Sequence, residues 1–145
     1  MLINSKGILR YYGEKEDLLN KDRRAWVVLD VDPNIGRLYH RLIPKYKNAD
    51  PQRWASHITV VRLGIEKVSN IEMWKKHENK EVEFTYDNQI EYHKPYFFLR
   101  ADSEQLKEIR VELGMAPYRI GFSDFHITVA NVKHVTTSQD RSDCF

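Results

Sequence analysis

Apolar residues fall along this chain in two rhythms, and the rhythms predict its elements. Short β-branched or aromatic runs read as strands: Trp26-Val27-Val28-Leu29-Asp30-Val31, His57-Ile58-Thr59-Val60, Tyr96-Phe97-Phe98-Leu99-Arg100-Ala101 and His126-Ile127-Thr128-Val129. Lys6–Tyr12 and Val82–Tyr86 add two more candidate strands. The 3.6-residue rhythm appears from Pro33 to Tyr46, with Ile35, Leu38, Leu42 and Ile43, and from Ser103 to Leu113, with Leu106, Ile109, Arg110 and Leu113. Pro33 after Asp32 suits a first helical turn, and Asp102 with Gln105 reads as a capping box. Gly114 supplies the second helix's stop. A short helix is expected over Ser69–His77, built on Ile71, Met73 and Trp74, with a charged connection over Gly13–Arg24 and a polar, turn-prone stretch over Asp87–Pro95.

One string occurs twice, His-Ile-Thr-Val at 57–60 and at 126–129, 69 residues apart. Successive side chains of a strand point to opposite faces, so His57 shares a face with Thr59 and His126 with Thr128, while the Ile/Val pairs turn to the other side. The surroundings repeat as well. Asp32 precedes His57 by 25 residues and Asp102 precedes His126 by 24, so a strand, a helix and a His-x-Thr strand recur in near register. Aligning the two aspartates pairs the apolar Val27, Leu29 and Val31 with Phe97, Leu99 and Ala101, and Trp26, Val28 and Asp30 with Tyr96, Phe98 and Arg100 on the opposite face. Trp26 and Tyr96 are therefore matched aromatic candidates for a substrate wall, and Tyr12, Trp54 and Tyr118 are further substrate-binding candidates. Arg62 shares parity with Ile58 and Val60, which predicts a solvated position unless the strand bulges.

Two His-x-Thr strands in a duplicated strand-helix-strand unit resemble the two-histidine phosphoesterase superfamily, whose members include LigT-like RNA phosphodiesterases and cyclic nucleotide phosphodiesterases. The likeness covers roughly Ala25 to Lys133 and rests on His57, Thr59, His126 and Thr128. The expected fold is α+β: two pseudo-symmetric lobes, each a mainly antiparallel sheet with outer helices, around a central cleft carrying both motifs. Residues 1–133 form the expected domain, with a lobe boundary at about 63–79 and a flexible tail over 134–145.

The chemistry follows from the residue types. One neutral imidazole can take a proton from an attacking water or ribose 2′-hydroxyl while the other, protonated, gives one to the leaving oxygen. The two threonine hydroxyls can donate to non-bridging oxygens where charge develops. No His-x-His, no His-x-x-x-His with a nearby carboxylate and no cysteine pair accompanies the motifs, so no metal and no cofactor is expected. His40, His77, His93 and His134 read as solvated or structural, and the one cysteine, Cys144, as inert.

Composition narrows the setting. The 145 residues are 41% hydrophobic and 30% charged, with a net charge of +2, too small to announce duplex DNA binding. No apolar run approaches a membrane span, and the first six residues lack a signal peptide's apolar core, so a cytoplasmic location is expected, the host cytoplasm if the chain is viral. The function that the resemblance, together with this chemistry, implies is metal-independent cleavage of a ribonucleotide phosphodiester, its nucleobases stacked on Trp26 and Tyr96, with a cyclic di- or oligonucleotide or 2′,5′-linked signal as first choice and an anti-defence role in view. An enzyme of RNA ends, acting on 2′,3′-cyclic phosphates or 2′–5′ linkages, and a non-catalytic nucleotide-binding module are the alternatives.

Overall fold

The computed structural model describes residues 1–19, 25–62, 66–119 and 121–132. The expected tail, with His134 and Cys144, lies outside them, as do Lys133 and parts of the Gly13–Arg24 connection and of the expected lobe boundary. Among the described residues, eight strands and two α-helices make a mixed α+β fold: β1 (Leu2–Tyr12), β2 (Trp26–Asp30), α1 (Pro33–Leu42), β3 (Ala49–Pro51), β4 (His57–Arg62), β5 (Glu81–Asp87), β6 (Glu91–His93), β7 (Tyr96–Asp102), α2 (Glu104–Glu112) and β8 (Phe125–Val132). All pairings are antiparallel, in the order β3-β8-β4-β2-β1-β5-β7-β6, and an additional β7–β8 pairing closes six of the strands into a barrel. The short β3 and β6 extend the sheet beside β8 and β7.

Each helix begins and ends for a local reason. Asp32 caps α1, its Oδ1 accepting from the Asn34 amide at 2.9 Å. The expected helix to Tyr46 stops at Leu42, because Pro44 disfavours helical backbone at the residue before it and Ile43 is extended. A 3-10 turn over Lys45–Lys47 follows. For α2 the cap is Ser103, one residue beyond the expected Asp102, with Ser103 Oγ accepting from the Leu106 amide. Gln105 instead accepts from the backbone of Glu83 on β5 at 2.8 Å, so the capping-box reading does not hold. Gly114, at φ +80°, ends the helix in the left-handed region. Between the halves, the expected helix over Ser69–His77 reduces to a 3-10 turn over Ile71–Met73. The polar stretch read as turns holds β6.

One apolar face of the sheet forms the core. Leu9, Val27, Leu29, Ile58, Leu99 and Ile127 are buried on it together with Ile35 and Tyr39 of α1 and Leu106 and Ile109 of α2. Gly36 lies inside α1 despite its poor helix propensity because a Cβ there would sit 2.5 Å from Ser56 Oγ. The Gly36 amide donates to that same oxygen at 3.0 Å, and the Val31 amide donates to the Ser56 carbonyl at 3.1 Å. The helix start is thereby clamped to the residue that precedes His57.

Candidate active site

The two motif strands are neighbours. In the antiparallel β4–β8 pair Ile58 faces Ile127, the one rung of that pair among the described residues. Opposed chain directions then set His57 beside Thr128 and Thr59 beside His126, all four on the face opposite the core. Elsewhere that face is open: Lys6, Arg10 and Tyr12 of β1 and Glu81 and Glu83 of β5 are exposed. At the seam it is recessed, with Thr59 and Thr128 at 5% and His126 at 6% exposure.

The flanking strands hold each motif in the same way. Asp30, Leu29 and Val28 of β2 face His57, Ile58 and Thr59; Arg100, Leu99 and Phe98 of β7 face His126, Ile127 and Thr128. Both ladders then slip by one residue, so that Val27 faces Val61 and Phe97 faces Ala130. The extra residues, Val60 and Val129, are buried in the core with their neighbours Val61 and Ala130. This bulge reverses the parity expected for Arg62, which pairs with Trp26 and takes the site's side of β4, half-buried.

Arg110 secures the first bulge. It holds an apolar position in the helical rhythm yet is 1% exposed, and its Nη1 donates to the bulged Val60 carbonyl at 2.6 Å. Its other donors reach Ala116 and Tyr118 carbonyls and both oxygens of Glu66, a buried carboxylate that also accepts from the Arg62 amide. An arginine amid leucines was the visible clue to this cluster; Glu66 had none.

The two histidines differ in surroundings. His57 is half-buried, and its Nδ1 lies 2.8 Å from the Ala55 carbonyl. A carbonyl only accepts, so Nδ1 carries the hydrogen and Nε2 is the working nitrogen. Asp30, on the facing rung, is bound by Arg10 at 3.3 Å. His126 lies between Phe98 and Phe122, with ring centroids at 5.6 and 5.3 Å. The guanidinium of Arg119 stacks 5.1 Å from the Phe122 ring, its Nε 3.6 Å from Glu66. Burial first, then the Arg119 charge and then His57, push the His126 imidazolium down to about 3, so the ring is neutral near pH 7. Arg100, facing His126, is itself bound by Glu91 and by Asp124. Thr59 Oγ1 is buried with no hydrogen-bond partner among the described residues, an arrangement that costs about 1–3 kcal/mol and leaves a polar group for a ligand.

The aromatic candidates divide. Tyr12 and Trp26 sit on facing rungs with rings 5.6 Å apart, and Tyr12 is 46% exposed. Tyr96, the position matched to Trp26, is buried at 8% on a rung with Asn131, so its ring is closed to solvent. Trp54 is exposed in the loop three residues before His57. Tyr118 serves the framework: its hydroxyl donates to Asp102, its ring packs on Phe125 and beneath Lys107, and its carbonyl receives Arg110. His40 binds the Ala49 carbonyl and His77 binds Glu112, both as framework contacts, and His93 lies exposed on β6.

Among the described residues no group of three His, Cys, Asp or Glu side chains converges as a metal site, and no helix is long and apolar enough to cross a membrane. A cavity of about 540 Å³ opens away from the motifs, at the start of α2, where Glu83, Asp102 and Glu104 outnumber Lys6. That charge balance disfavours an anionic substrate there. Comparison with protein-family models, with curated proteins and with solved structures finds no match to this chain.

Proposed function

We propose that this protein is a two-histidine phosphodiesterase that cleaves a ribonucleotide phosphodiester without a metal. The observation that carries the reading is the Ile58–Ile127 rung, which sets two His-x-Thr motifs side by side on one recessed face. The identical rungs and bulges of β2–β4 and β7–β8 support reading the chain as two pseudo-symmetric lobes whose sheets share this seam. Neutral His126 is the general base, taking the proton from a ribose 2′-hydroxyl or a water as it attacks phosphorus. His57, its Nδ1–H held by the Ala55 carbonyl, carries on Nε2 the proton that goes to the departing oxygen. Thr59, whose hydroxyl has no partner among the described residues, and Thr128 donate to the non-bridging oxygens as their charge grows. The Tyr12–Trp26 pair receives one base.

The substrate we favour is a small cyclic or 2′,5′-linked oligonucleotide signal, degraded in the cytoplasm as a counter to host defence. RNA ends are the second reading, since the five cations against one carboxylate between residues 33 and 54, just before His57, suit a longer polyanion. The test is direct. Cyclic dinucleotides, 2′,5′-oligoadenylate, 2′,3′-cyclic nucleotides and short RNA with a 2′,3′-cyclic end are incubated with the protein in EDTA, and products are read by mass spectrometry. Conversion of at least one of them is expected. Conversion of none, or activity that needs added zinc or manganese, overturns the reading; binding without turnover would move the chain to the non-catalytic module.

A further inference from the structure

We propose that the surface running from α1 to the loop before β4 binds single-stranded nucleic acid and leads it to the seam at His57. The binding itself is independent of turnover; only the delivery to His57 rests on the function proposed above.

The surface is defined by exposed side chains of two kinds in close alternation. Leu38, Leu42, Tyr46 and Trp54 are 50%, 61%, 77% and 54% exposed, a concentration of large apolar groups within 17 residues. Interleaved with them are the exposed Arg37, Arg41, Lys45 and Lys47. Between residues 33 and 54 the chain carries five cations, these four and Arg53, against the single carboxylate of half-buried Asp50: a net +4, where the whole chain is +2, so the rest of the protein is −2. The positive charge is concentrated, not spread. Arg37 and Arg41 stand four residues apart on one helix, so their like charges oppose helix stability and find their use against a polyanion.

The rings narrow the polyanion to an unpaired strand. Lys47 Nζ lies 5.4 Å over the Tyr46 ring, and Tyr46 and Trp54 stand out far enough to stack on bases that no complementary strand has sequestered. A membrane surface fits less well. The other stripe of α1, Ile35 and Tyr39, is committed to the core, and the ten-residue helix keeps only two exposed leucines, each directly after an arginine, short of the continuous apolar face of an interfacial helix. The path is fixed to the site at its far end: Pro51 pairs with Ala130 of β8, the Gln52 amide donates to the Val129 carbonyl at 3.4 Å, and His57 follows Trp54 by three residues.

The test uses the His57→Ala protein, so that nothing is cleaved, with fluorescein-labelled single-stranded RNA, single-stranded DNA and duplex of about 20 nucleotides, spanning more than one stacking position. Anisotropy is followed between about 50 and 200 mM salt. Both single strands should bind, more weakly as salt rises, with a log-log slope of about −0.7 for each phosphate neutralised. Arg37→Glu/Arg41→Glu/Lys45→Glu/Lys47→Glu should remove the binding and its salt dependence while leaving the melting temperature close to that of the parent; should that variant fold poorly, Arg37→Gln/Arg41→Gln should still flatten the slope. Tyr46→Ala or Trp54→Ala should weaken binding about 5- to 150-fold with the slope kept. Absence of RNA binding, wild-type binding by the charge-reversed protein, preference for duplex, or tighter binding to phosphatidylserine vesicles than to RNA overturns the proposal. RNA binding that persists while the wild-type protein converts none of the cyclic dinucleotides, 2′,5′-oligoadenylate, 2′,3′-cyclic nucleotides or cyclic-ended RNA sinks the catalytic reading and leaves this one standing.

Discussion

The same four residues stand in two different environments in this protein. His57 opens onto the surface at the start of β4, faces a carboxylate across the ladder and gives its Nδ1 hydrogen to a backbone oxygen. His126 is closed between two phenylalanine rings, faces an arginine and has a second arginine nearby. The aromatic positions on the adjoining strands diverge likewise: Trp26 is half-buried beside exposed Tyr12, whereas Tyr96 is buried. Identical local sequence therefore sets which atoms are present, and the neighbours set how buried each ring is and which charges stand beside it. On the function proposed above, two copies of one motif would take the roles of acid and base through the residues around the histidines and not through the histidines themselves.

The comparison can be broken most directly at the histidines. His57→Ala and His126→Ala should each lower kcat by at least about 100-fold, the lower end of general acid-base catalysis; near wild-type turnover in either would end the two-histidine mechanism. The next effects are on stability. Arg110→Ala removes the bidentate partner of buried Glu66, leaving it the Arg62 amide and Arg119 at 3.6 Å, and should cost about 3–5 kcal/mol, measured by urea unfolding. Tyr96→Ala should also lose about 3–5 kcal/mol, as truncation of a buried aromatic does, with KM of the folded protein little changed.

Trp26→Ala should do the reverse, raising KM about 5- to 150-fold, or about 1–3 kcal/mol, with a small change in melting temperature. Equal behaviour of the Trp26 and Tyr96 variants would erase the asymmetry proposed between the two halves. The pH dependence of unfolding sharpens the contrast in protonation. Because His126 is depressed from 6.5 to about 3 in the fold, the unfolded chain binds its proton first as pH falls. Its contribution is fully present above about pH 6.5 and is lost progressively toward pH 3, at up to about 1.4 kcal/mol per pH unit. Wild type and His126→Asn should therefore diverge in the pH dependence of unfolding across that window, and parallel curves would show that His126 is not held neutral by its site.

Much of this was legible along the chain because it depends on local periodicity. Alternation alone puts His57 with Thr59 and His126 with Thr128 on one face, and Pro33 and Gly114 mark helix ends through their own backbone constraints. Spacing between the halves likewise anticipated that Trp26 and Tyr96 take matching rungs. Other features had no local signal. The one-residue bulges that turn Arg62 toward the site, the closure of the strands into a barrel and the burial of Tyr96 arise from pairing between distant segments. Arg110 was visible as an oddity in an apolar stripe, but its purpose required Val60 and Glu66, which lie 50 and 44 residues away. The sequence by itself determined the inventory of groups and the face each strand presents, since both follow from residue identity and a period of two. Only the tertiary structure decided which histidine is sealed from water and which charges stand beside it, because desolvation and Coulomb interactions depend on distance in space and not on distance along the chain.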